Sequence, residues 1–242
     1  MVKRSFKSKI SGIYKFVFFN RFRYSGCFNL FRRIFSYSDR ERMLSVAMEF
    51  VRSSRLEGDY LEFGVYEGNT FVPAFHFAQK RKLSLMKFYA FDSFEGLPDV
   101  VGEDVKGFKH FFKGQYACGV GSFKKIVSRR GVKLSKVVFV PGWFDKVLNS
   151  STKKNLSIKK AAVVWVDCDL YESTVPVLNF ITDYVQDGTV LIFDDWFAFR
   201  GNPARGEQKA FSEWLKKNPS LRVSEFKKFG WNGNSFIIHK NG

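Results

Sequence analysis

Ala161-Ala162-Val163-Val164-Trp165-Val166 runs directly into Asp167-Cys168-Asp169-Leu170-Tyr171-Glu172-Ser173-Thr174. The first six residues are apolar without alternation, the pattern of a strand buried on both faces, as in a parallel sheet. Further on, a second apolar run from Thr189 to Phe193 ends in Asp194-Asp195-Trp196. Four carboxylates therefore stand at the C-terminal ends of two strands expected to be neighbours. In an open α/β sheet, ligands bind in the crevice beyond those ends. Carboxylates crowded there repel one another unless a cation holds them. An all-oxygen donor set suits a hard metal such as Mg²⁺.

Outward from this stretch, strands alternate with helices. Tyr60 to Val65, Lys87 to Phe91, Val137 to Val140, Ala161 to Val166 and Thr189 to Phe193 read as strands. Thr70 to Lys80, Gly121 to Arg130, Ser173 to Val185 and Glu207 to Lys217 read as helices, the third with Ser173 or Thr174 at its N-cap. Arg222 to Phe226 and Ser235 to His239 are two closing strands. The alternation predicts an α/β fold: a mostly parallel sheet with helices on both faces. Ahead of it, Ser38-Asp39-Arg40-Glu41 reads as a helix start continued by Met43 to Arg52. We expect residues 1–54 to form a basic-aromatic helical extension and 55–242 the main domain.

The 242 residues, 45% hydrophobic with 30 Phe, suffice for one α/β domain with an aromatic core. Net charge is +17, and eleven Lys/Arg against Asp39 and Glu41 place +9 of it within the first 42 residues. Such a chain attracts polyanions of any kind. Phe18, Phe22, Phe28, Phe31 and Phe35 recur at helical spacing there. That segment reads as helices capping the domain, or as a peripheral membrane contact through residues 1–40. No stretch reaches the ~18 apolar residues of a membrane span. No small-residue cleavage site follows the short apolar run from Ile13 to Asn20, which argues against a signal peptide. Cys27, Cys118 and Cys168 have no metal spacing, and their odd, sparse count suits a reducing cytoplasm, free or at the inner face of a membrane.

Three further segments follow strand ends. Glu62-Phe63-Gly64-Val65-Tyr66-Glu67-Gly68-Asn69-Thr70 lacks the GxGxxG of dinucleotide sites; an acidic strand end before one glycine better suits a ligand with a cationic part. Phe91-Asp92-Ser93-Phe94-Glu95-Gly96-Leu97-Pro98 places a carboxylate where ribose hydroxyls are bound. In Pro141-Gly142-Trp143-Phe144, the two aromatic residues either flank a flat ring or belong to the core. The long loop from Ser93 to Gly119 carries Phe94, Phe108, Phe111, Phe112 and Tyr116 and reads as a lid.

Taken in order, EFGVYEGNT, DSFEGLP, PGWF, DCDLYEST and DDW resemble the macrocin/mycinamicin-type sugar O-methyltransferases, over roughly residues 55–215. The resemblance implies the Rossmann-like class I methyltransferase fold: seven strands, mostly parallel, with an antiparallel terminal pair. It implies S-adenosylmethionine as cofactor, bound by the segment Glu62 to Thr70 (Glu62, Gly64, Val65, Tyr66, Thr70), by Asp92 and Ser93, by Gly142, Trp143 and Phe144, and by Asp167. It implies Mg²⁺ on Asp169, Asp194 and Asp195. Asp169 or His110 in the lid would remove the acceptor's proton; His76 and His239 read as structural. Arg200 and Arg205, in the loop after DDW, are expected to meet an anionic acceptor, with Tyr171 on the substrate side. The expected acceptor is a sugar or glycan hydroxyl, anionic or lipid-linked. Homo-oligomerisation is left open. The lid and N-terminus differ from those of the family, so the substrate does not transfer.

Three other readings compete. A nucleic-acid methyltransferase would suit the charge, but Asp167-Cys168-Asp169-Leu170 occupies the place of its D/N-P-P-aromatic motif; no nucleic acid is expected. A non-catalytic carrier- or glycan-binding module and a methyltransferase of small phenols share the fold.

Overall fold

A computed structural model describes residues 37–105 and 110–240. The helical expectation for 1–40 falls almost wholly outside them, as do Cys27 and Phe108. Asp39–Gly242 forms one compact unit. Helix α1 (Asp39–Ser53) therefore belongs to the main unit and not to an extension ending at residue 54. The reason is its apolar face: Met43, Leu44, Ala47, Met48 and Val51 are fully buried.

The sheet holds β1 (Asp59–Phe63), β2 (Phe88–Asp92), β3 (Val137–Pro141), β4 (Ala161–Val166), β5 (Val185–Phe193), β6 (Leu221–Glu225) and β7 (Asn234–Lys240). Their order is β3-β2-β1-β4-β5-β7-β6, with β7 antiparallel to both β5 and β6. The remaining helices are α2 (Phe71–Lys80), α3 (Val120–Arg129), α4 (Phe144–Val147), α5 (Ser150–Asn155), α6 (Tyr171–Ile181) and α7 (Gly206–Lys217). All six residues of β4 are buried, as its unbroken apolar run requires. Phenylalanines fill the layers on both sides: Phe63 stacks on Phe91 at 4.4 Å, and Phe180 meets both edge-on. The order of strands reverses between β1 and β4, the switch point at which a crevice opens beyond the strand ends.

Most elements start within a few residues of their expected positions. The largest shift is at β5, which starts at Val185, four residues before Thr189 and at the residue expected to end the preceding helix. That helix, α6, begins at Tyr171 and not at Ser173, with Leu170 as a cap that offers no side-chain bond. Its leading amides are satisfied from elsewhere: Tyr171 N and Glu172 N donate to Asp104 Oδ1 and Oδ2 at 2.8 and 3.1 Å. A tertiary carboxylate thus replaces the local Ser/Thr cap. Among the described residues no helix is long and apolar enough to cross a membrane.

Candidate active site

Register brings the site together. Phe63, Val166 and Phe193 are adjacent across β1, β4 and β5, so Gly64, Asp167 and Asp194 leave the sheet side by side. The ladder extends one step past the strands: Asp167 N donates to Phe63 O and Asp194 N to Val166 O, both at 2.9 Å. Gly64 has φ +86°, and a Cβ there would lie 1.9 Å from Asp167 O. Only glycine allows the first loop to cross so close to the fourth strand's exit.

One oxygen from each of Asp167, Asp194 and Asp195 lies within 4.8 Å of the others. The carboxyl of Asp169 lies against that of Asp195. It holds a left-handed backbone, φ 59°, which an aspartate tolerates better than most residues and which is typical of a constrained site. The cluster therefore contains Asp167, expected on the cofactor side, and sets Asp169 against its edge. Burial, then mutual repulsion, drives the carboxyls of Asp167, Asp169 and Asp195 well above the usual range. Asp194 is raised less, because burial is opposed by Arg40. Arg40, at the start of α1, grips Asp194 through Nε at 2.7 Å and through a second, shorter bond from Nη2.

Asp195 is fixed from further directions. Its amide donates to buried Glu207 Oε2 at 3.0 Å, and Asn232 Nδ2 donates to its Oδ1 at 2.6 Å. Glu207 Oε1 and Asn232 Oδ1 are buried without a hydrogen-bond partner. Hard oxygen donors in this number fit a hard divalent cation. Arg40, Glu207 and Asn232 were not singled out in the sequence. Arg40 and Asn232 come from segments remote from the acidic motifs, and Glu207, twelve residues after Asp195, carries no local sequence signal that sets it apart from a solvated helix-start acid.

A cavity of about 850 Å³ opens over these strand ends. Gly64, Val65, Tyr66 and Thr70 line one side, Asp92 and Ser93 the next, and Trp143 and Phe144 the far end. Asp167, Asp169, Asp195 and Arg40 line the opposite end, and His110 lies at the lid. Asp92 accepts from Val65 N at 2.7 Å, Tyr66 N at 3.2 Å and Phe94 N at 2.6 Å, so it shapes the first loop as well as facing the cavity. Glu62 does not line the cavity. Its carboxyl, pushed up to about 8 chiefly by burial, is taken by Thr70 Oγ1 at 2.6 Å and by the Tyr60 hydroxyl. It holds the loop from behind. Gly142 lies behind Trp143, with φ +133° and no room for a Cβ beside Val147.

The segment after β2 borders the cavity. Leu97 N donates to Gln115 O and Gly114 N to Leu97 O, pinning its two arms. Leu97, Val101, Phe111 and Tyr116 face the cavity. Phe94 does not belong to the lid: it is buried against Phe123. The substrate-side residues are elsewhere. Tyr171 donates its hydroxyl to Glu213 at 2.7 Å, beneath Lys209. Arg200 is exposed with φ 61°, in the tight turn Phe199–Gly201 that carries it off the cavity, and Arg205 precedes α7 outside the lining. His76 Nε2 bonds Arg130 O and His239 Nε2 bonds Ser224, away from the site.

The family model described as Macrocin-O-methyltransferase (TylF) matches residues 35–214. An 8-demethyl-8-(2,3-dimethoxy-α-L-rhamnosyl)-tetracenomycin-C 4'-O-methyltransferase of Streptomyces olivaceus is 28% identical over 157 residues, 63% of this chain and 58% of that protein. The mycinamicin III 3''-O-methyltransferase of Micromonospora griseorubida is 26% identical over 145 residues, 57% and 55% of the two chains. The aligned region thus spans less than two thirds of these relatives' length. In fold, the O-methyltransferase NovP superposes with a TM-score of 0.72 at 23% identity, covering 84% of this chain and 80% of its own. The calicheamicin methyltransferase CalS11 does so at 0.66 and 22%, covering 81% and 77%.

Proposed function

This chain belongs to the macrocin O-methyltransferase family, and on that premise we propose that it moves a methyl group from S-adenosylmethionine to a sugar hydroxyl. The acceptor would be a natural-product glycoside or a surface-glycan intermediate, and the reaction would use a divalent cation such as Mg²⁺. The observation that carries the reading is the cluster of Asp167, Asp194 and Asp195 at the switch-point cavity, with Asp169 beside it. The sugar preference draws on the relatives, two of which are named for methylating glycosides.

S-adenosylmethionine carries an electrophilic methyl on sulfur, and a hard divalent cation lowers the pKa of a hydroxyl it touches. Asp167, Asp194 and Asp195 would hold the cation. The first loop, from Gly64 to Thr70, would take the methionine part of the cofactor, Asp92 the ribose, and Trp143 with Phe144 the flat base. Asp169 faces the cavity from the edge of the acidic cluster, where its carboxylate can accept the acceptor's proton. The lid residues Leu97, Val101 and Phe111 exclude water from the reacting atoms.

The test is transfer of a labelled methyl from S-adenosylmethionine to a panel of glycosides. Asp169→Asn should lower the rate by about 10²–10⁴ while leaving cofactor binding within about twofold. Full transfer by this variant would remove Asp169 as the base. A wild type that binds cofactor and metal but methylates no glycoside would remove the sugar acceptor.

A further inference from the structure

Trp231 is 82% exposed, yet it lines the cavity. Its backbone is not loose. Phe229 and Gly233 exchange two hydrogen bonds of 3.1 Å and close a three-residue tip, Gly230 to Asn232, between β6 and β7. Phe229 is buried against Trp165, and its ring fills the space a Cβ on Gly233 would need. Asn232 ties the tip down on the other side, accepting from Phe197 N through its carbonyl at 2.9 Å and donating to Asp195 through Nδ2 at 2.6 Å. A rigid tip therefore holds a large indole in water at the mouth of the cavity. An indole held rigidly at a cavity mouth offers a large apolar face on which a ligand can pack.

The tip sits at the acidic end of the cavity, next to Asp195, while Trp143 and Phe144 lie at the end assigned to the cofactor's base. Its second feature is Asn232 Oδ1, buried and without a hydrogen-bond partner. An orphaned acceptor beside the acidic cluster asks for a donor, and a hydroxyl is the donor that an acceptor molecule brings.

Resting on the methyltransferase reading above, we propose that Trp231 and Asn232 form the acceptor subsite. The Trp231 indole packs on the C–H face of a pyranose ring, and Asn232 Oδ1 accepts a hydroxyl beside the one that is methylated. This assigns acceptor selectivity to the β6–β7 tip. A polyhydroxylated ring with one apolar C–H face meets both features.

The test uses protein loaded with S-adenosylhomocysteine and Mg²⁺. Ligand-observed NMR would follow the methyl pyranosides of rhamnose, fucose, glucose, mannose and galactose, with catechol as the phenol arm. At least one glycoside should bind wild type. Trp231→Ala should weaken it by about tenfold or more, and Trp231→Phe should stay within about threefold of wild type. S-adenosylhomocysteine affinity and Tm should not move in either variant, since the side chain is exposed. Equal glycoside binding by Trp231→Ala would overturn the inference. So would catechol binding alone, or no glycoside bound by protein that holds S-adenosylhomocysteine. Failure of wild type to bind S-adenosylhomocysteine would instead overturn the reading on which the inference rests.

Discussion

Replacing Arg40 by Gln should move two quantities in opposite directions. Arg40 gives Asp194 two charge-assisted hydrogen bonds, and the Asp194 side chain is 1% exposed against 55% for Arg40. Hydrogen bonds to charged groups contribute about 1.5–3 kcal/mol. The half-exposed guanidinium loses part of that to solvent, which leaves a net loss of about 1.5 kcal/mol in the metal-free protein. For a chain of this size the fall in Tm is about 3–6 °C. The metal term has the other sign. At ion-pair distance a guanidinium opposes an incoming cation by about 4 kcal/mol per unit charge at an effective dielectric of 20. Screening at a half-exposed group reduces this to about 1.5 kcal/mol, so Mg²⁺ should bind about tenfold more tightly to Arg40→Gln. Thermal unfolding in EDTA gives the first quantity and calorimetric titration with Mg²⁺ the second. A variant that loses stability and binds Mg²⁺ no better than wild type would refute the reasoning: Arg40 would then be a tie between α1 and β5, not a counter-ion that yields to the metal.

Three more outcomes follow from the same geometry. Gly64→Ala must place a Cβ against Asp167 O from a positive φ, so it should cost about 2–4 kcal/mol and abolish S-adenosylmethionine binding, read by thermal unfolding and calorimetry. Asp104→Ala leaves the Tyr171 and Glu172 amides of α6 without their partner; a loss of about 1–2 kcal/mol should come with faster limited proteolysis within residues 93–119. Glu62, pushed up to about 8, binds its proton more tightly in the fold than in the unfolded chain. Its contribution is complete below its unfolded value of about 4.3 and is lost as pH rises through about 8. Wild-type Tm should therefore fall relative to Glu62→Gln between about pH 5 and pH 8, and parallel curves would contradict the assignment.

The parallel strands were legible because burial on both faces demands unbroken apolar runs, as in Ala161 to Val166. The acids were legible as a set for a related reason: charges placed at the ends of such runs have no role in packing. Their grouping was not. Which oxygen of Asp167 or Asp169 faces Asp194 depends on the left-handed turn at Asp169, and no local pattern specifies it. The start of α6 shifted because Asp104, from the lid, caps it across a long sequence separation. Arg200 and Arg205, expected to meet an anionic acceptor, lie outside the cavity lining, because charge and adjacency to the acidic pair say nothing of the turn that precedes α7. Arg40, Glu207 and Asn232 reach the acids only through tertiary packing.

The most direct test of the central claim is calorimetric titration of the protein with S-adenosylmethionine and with Mg²⁺, in wild type and in Asp194→Asn. The account predicts that both proteins bind S-adenosylmethionine and that only wild type binds Mg²⁺. No binding of S-adenosylmethionine by wild type under either condition would contradict it.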